Sequence, residues 1–101
     1  MRKNNPSTLV YIVQMGEYDY YRVGKSSEIR KKERHRILQN GSPKKLKEVF
    51  HKVYGPIYTP MIEKLIQDHL RPYETESKDW FNVSRETIDK VVMIMDNIPS
   101  E

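Results

Sequence analysis

The stretch Tyr21-Arg22-Val23-Gly24-Lys25-Ser26-Ser27 holds the residue types best suited to chemistry in this chain. A β-prone run stops at Gly24, and Ser26 and Ser27 follow as candidate helix N-caps. A strand that hands over to a helix in this way offers backbone N–H groups, hydroxyls and a positive helix end to a phosphate. Arg22, Lys25 and Ser26 are the side chains at that junction. The helix expected next, over 27–39, adds Arg30, Lys31, Arg34 and Arg36. Further along, Glu63 is a lone carboxylate near the start of another helix. The plainer readings are a solvated basic helix and an acidic side chain favoured by the helix dipole.

The charge layout points the same way. Residues 22–52 hold 11 Lys/Arg against 3 Asp/Glu, a net of +8, whereas 53–101 hold 5 against 9, a net of −4. A positive middle beside a mildly acidic remainder suits one face for a polyanion. With no cysteine and three histidines, disulfides and thiolate metal sites are excluded and a structural zinc is not expected. The first six residues lack the apolar segment of a secretory signal. No apolar run approaches the ~18–20 residues that span a bilayer. The expectation is a soluble intracellular protein, in cytoplasm or nucleus, or a viral or phage protein within its host. At 101 residues a single domain is expected, with 1–7 as a polar tail and 8–98 as the folded unit.

Those residues need positioning, and the hydrophobic pattern names the elements. Residues 8–14 and 20–24 read as strands joined by the turn Gly16-Glu17-Tyr18-Asp19, an antiparallel hairpin. A thin apolar stripe marks the helix over 27–39, ended by Asn40-Gly41-Ser42-Pro43. Residues 46–54 read as a third strand, with Val49 and Val53 on one face and Phe50 and Tyr54 on the other. Thr59 as N-cap and Pro60 at the first helical position start a helix to Leu70. Its apolar stripe is Ile62, Leu65, Ile66, His69 and Leu70. Residues 79–83 are short and extended. Ser84 caps a last helix buried through Ile88, Val91, Val92 and Met95. The order β-β-α-β-α-β-α predicts an α/β chain of the α+β type, a small central antiparallel three-stranded sheet flanked by helices.

Five segments together resemble the GIY-YIG nuclease superfamily, in the branch with a basic residue in place of the second-motif tyrosine. They are Val10-Tyr11-Ile12, Arg22-Val23-Gly24, Arg34 with Asn40-Gly41-Ser42-Pro43, Glu63 through Leu70, and Asp79-Trp80-Phe81. The resemblance implies that Tyr11 takes the proton of the attacking water and that Arg34 clamps the scissile phosphate, with Arg30 and Arg36 as competitors for that role. It implies that Glu63 holds one Mg²⁺ or Mn²⁺, and that Arg22 holds a phosphate or activates Tyr11. A hard divalent ion can use one carboxylate plus water and substrate oxygens. A phenol of pKa about 10 is a weak base unless nearby cations lower it, and Arg22, Lys25 and Arg34 are the candidates. Lys25, Ser26, Arg30, Lys31 and Arg36 would hold nucleic acid. His69 reads as a core histidine, and Trp80 and Phe81 as core closure.

The expected function is a metal-dependent endonuclease cutting one DNA strand per site with weak sequence preference. RNA is the other candidate substrate, and targeting would fall to a homodimer or a partner protein. The alternative is a non-catalytic nucleic-acid-binding module of the same fold. A protein-interaction domain is a third class.

Overall fold

A computed structural model describes residues 6–27, 36, 39 and 45–101. Strand β1 (Leu9–Met15) and strand β2 (Tyr20–Ser26) form the expected hairpin, but β2 does not stop at Gly24: Lys25 and Ser26 stay paired with Val10 and Leu9, so Ser26 is a strand residue and not a helix cap. Gly16 takes the positive φ of 56° that the turn requires. Strand β3 (Leu46–Val53) pairs antiparallel with the other side of β1. Strand β4 is only two residues, Phe81–Asn82, and pairs with Tyr21 and Tyr20 of β2. The sheet therefore has four strands in the order β3-β1-β2-β4, one more than expected. A two-residue strand has too little periodicity to be read as a sheet member without its partner.

Two helices are described in full, α1 (Tyr58–Leu70) and α2 (Arg85–Asn97). Arg36 and Gln39 are also helical, within the segment where the basic helix was expected. A short 3-10 turn, Arg71–Tyr73, follows α1 with Pro72 inside it. None of the described helices is long and apolar enough to cross a membrane.

One sheet face carries the main core. Val10, Ile12, Tyr21 and Val23 pack there with Ile62, Ile66 and Leu70 of α1, and with Ile88, Val91 and Met95 of α2. Leu9, Tyr11 and Val13 alternate onto the opposite face, where Trp80 packs against them. Phe81 is buried in the main core, so both aromatic residues close the core as expected.

Three local expectations are corrected. Val49 and Phe50 both pack against the main core instead of alternating. The register slips between Ile12 and Val13, whose partners on β3 are Phe50 and Glu48, so Val49 is the extra residue of a bulge. Leu65 is 57% exposed and His69 is exposed, so the buried stripe of α1 narrows to Thr59, Ile62, Ile66 and Leu70. Thr59 is fully buried and is not the cap. The Glu101 carboxylate instead accepts the backbone N–H groups of Ile57 (2.7 Å) and Tyr58 (2.9 Å). Ser84 caps α2 as read, its side chain accepting from Thr87 N–H at 3.2 Å.

Candidate active site

The open edge of β2 is where the candidate residues meet. β4 covers β2 only at Tyr20 and Tyr21, so the strand from Arg22 onward has no described neighbour on its outer side. Gln67 of α1 partly fills that edge, donating from Nε2 to the Val23 carbonyl at 3.0 Å. A cleft of about 160 Å³ opens here, between three walls. Arg22, Val23 and Gly24 form the first, with Tyr11 behind them. Glu63 and Gln67 of α1 form the second. Arg71, Lys78, Asp79 and Phe81 form the third.

Cross-strand register explains how Tyr11 reaches the cleft from β1. Tyr11 lies directly opposite Gly24, so both point to the same face. A Cβ on Gly24 would stand 2.5 Å from Tyr11 Oη and 2.6 Å from Cζ. The phenol therefore lies over the bare glycine backbone. Gly24 is needed here for close approach, not for an unusual φ. Tyr11 is only 2% exposed.

Alternation along β2 divides the cations between faces. Arg22 and Gly24 share the face of Tyr11, while Val23 and Lys25 share the face packed by α1. Lys25 accordingly meets Glu63, its Nζ 3.6 Å from Oε1. The Glu63 side chain is 17% exposed, so its carboxylate is held mostly out of solvent beside one ammonium. Arg22 reaches Asp79 across the cleft at 3.8 Å, a more exposed pair. Such an open pair adds little stability, about 0–1 kcal/mol.

Of the candidates named from the sequence, the fold brings Tyr11, Arg22 and Glu63 to one cleft and sets Lys25 against Glu63. Ser26 is buried, and its hydroxyl donates to the Ser27 carbonyl at 3.0 Å. Arg36 is exposed on its helical turn. Arg30, Lys31 and Arg34 lie outside the described residues. Gln67, Arg71, Lys78 and Asp79 also line the cleft; Gln67 and Asp79 fall within the motif segments but were given no site role from the sequence, and Arg71 and Lys78 were not singled out. Gln67 and Arg71 follow Glu63 at four and eight residues, so helical spacing could have found them. Asp79 opens the acidic-Trp-Phe motif, whereas Lys78 depends on the pairing of β4 and carries no local signal.

The donor set suits a hard cation better than a soft one. Glu63 supplies carboxylate oxygen, and no cluster of three His, Cys, Asp or Glu occurs among the described residues. A metal here would complete its shell with water and substrate oxygens. Glu63 already accommodates a positive charge, that of Lys25.

A family profile described as T5orf172 domain matches residues 8–96. The chain belongs to the T5orf172 domain family. This T5orf172 domain falls in the GIY-YIG-like nuclease superfamily of phage and bacterial proteins. The match spans every element that lines the cleft, from β1 to β4. Neither curated proteins nor solved structures gave a match.

Proposed function

We propose that this T5orf172 domain is a metal-dependent endonuclease that hydrolyses DNA phosphodiester bonds, one strand at each site. It belongs on this reading to the superfamily branch with a basic residue, here Arg22, at the second-motif position. The observation that carries the proposal is the meeting of Tyr11, Arg22 and Glu63 at one cleft, with Lys25 beside Glu63. These residues come from two strands and a helix and are separated by up to 52 positions in the sequence. A chance charge run would not gather them.

In the proposed reaction the scissile phosphate lies against Arg22. A guanidinium there offers two parallel N–H donors to phosphate oxygens, and the Asp79 pair is loose enough to exchange for them. Arg34 has the clamp role by resemblance to the superfamily. Tyr11, acting as its phenolate, accepts the proton of the attacking water; the water oxygen bonds to phosphorus, the bond from phosphorus to the sugar oxygen breaks, and that oxygen leaves with a proton taken from solvent. Glu63 would hold the divalent ion, which supplies Lewis-acid stabilisation of charge on the phosphoryl and leaving oxygens. Lys25, beside Glu63, adds positive charge on the same side of the cleft.

Conversion of supercoiled plasmid to open circles tests this. The reading expects nicking with Mg²⁺ or Mn²⁺ and none in EDTA. Tight DNA binding without cutting under any divalent ion would favour a binding module of the same fold.

A further inference from the structure

The third wall of the cleft contains a residue whose backbone is at odds with its side chain. Residues 74–81 fold back on themselves, with Glu74 bridged to Phe81 and Thr75 N–H bonded to the Trp80 carbonyl at 3.0 Å. Lys78 N–H closes a four-residue turn on the Thr75 carbonyl at 3.0 Å. Lys78 itself has φ of +64°, and no other non-glycine residue described has a positive φ. Tight returns of this kind usually place glycine or asparagine at the left-handed position. An unbranched side chain with no short polar group gains nothing locally from being there.

The surroundings of Lys78 show what the side chain offers. It lines the cleft and is exposed. The other cations in and beside the cleft each have a carboxylate nearby: Arg22 has Asp79 and Arg71 has Glu74 within it, and Lys25 beside it has Glu63. Arg71 is fixed further by the Phe81 ring, 5.7 Å from its guanidinium carbon. Lys78 has no ion pair among the described residues. A positive charge without an ion-pair partner among the described residues, on a backbone conformation that disfavours a lysine side chain, beside a cleft of this size, is suited to an anion brought by a ligand.

We propose that Lys78 is a phosphate-contacting residue that holds the backbone of a polynucleotide strand along the third wall. The proposal rests on the nuclease reading of the cleft and extends it. The site then holds the strand from its third wall as well as from Arg22.

Lys78→Gly separates the two demands on this position. Glycine suits the left-handed backbone, so this variant should fold and melt higher than wild type by about 4 °C. Binding of a fluorescein-labelled DNA duplex would be measured in EDTA between 50 and 200 mM salt. The expected result is weakening by about 5–10-fold near 0.1 M salt, with the log–log salt slope smaller by about 0.9. Lys78→Arg should keep both the affinity and the slope. Equal affinity and slope for wild type and Lys78→Gly would overturn the role of Lys78 while leaving the nuclease reading intact. Wild-type protein that shows no salt-dependent DNA binding would overturn both.

Discussion

Gly24 controls access of one phenol to the cleft. Its missing side chain is what lets Tyr11, buried on the inner strand, lie across β2 toward Glu63. Gly24→Ala is expected to force the ring or the strand aside, destabilising the fold by about 1–3 kcal/mol. Urea denaturation measures that loss, and nicking should fall with it. An alanine variant with wild-type stability would show that the ring yields freely. The role of Gly24 was only half legible beforehand. The sequence marks a backbone requirement, but the contact with Tyr11 exists only through the β1–β2 register. Glu63 was legible through helix position and resemblance, whereas its pairing with Lys25 follows from strand alternation that places Lys25 on the α1 face.

At the scale of elements, α1 carries Glu63 and Gln67, so whatever orients its first turn orients the site. Glu101 does this from 43 residues away, receiving the Tyr58 amide. Glu101→Ala is expected to cost about 0.5–2 kcal/mol, as loss of a capping side chain does. Hydrogen exchange should report faster exchange at the Ile57 and Tyr58 amides, and unchanged protection there would contradict the capping role. A second tie joins β3 to α2. The Tyr54 hydroxyl donates to the Met95 carbonyl, and burial, helped by the Asp96 carboxylate, pushes its pKa up to about 12. The ordinary phenol value is 10.0. The unfolded chain therefore ionises first, and this contribution is complete below pH 10 and is lost as pH rises from about 10 to about 12. Urea midpoints across that window should fall more for wild type than for Tyr54→Phe. Local signals explain which elements were readable. Ser84 caps α2 through a contact three residues away, so its role is visible in sequence. Thr59 has the same residue type at a helix start, but it is buried and a distant carboxylate takes the capping role. The bulge at Val49 and the pairing of β4 are likewise set by partners, so alternation alone misplaced one and left out the other.

Across the whole molecule, a sheet edge left open after Tyr21 meets a helix carrying a carboxylate and a turn carrying cations. The hairpin, the third strand and both fully described helices were legible from periodicity, because each buries a face long enough to show a repeat. The net of +8 over residues 22–52 is divided by the fold: among its described members Arg22 lines the cleft and Lys25 pairs with Glu63, whereas Lys47 pairs with Glu17 and Lys52 donates to the Asp96 and Ile98 carbonyls. The third wall was legible only as the Asp79-Trp80-Phe81 motif, since Arg71 and Lys78 gain their meaning from folding back beside β2.

Plasmid nicking by purified protein in Mg²⁺ or Mn²⁺, with wild type compared against Glu63→Ala and Tyr11→Phe, tests the central claim most directly. The account expects wild type to nick, Tyr11→Phe to lose at least about 100-fold in rate, as loss of a general base typically does, and Glu63→Ala to lose the nicking that the divalent ion would support, with both variants still binding DNA. Nicking that survives both substitutions would contradict the assignment of this cleft as the catalytic site.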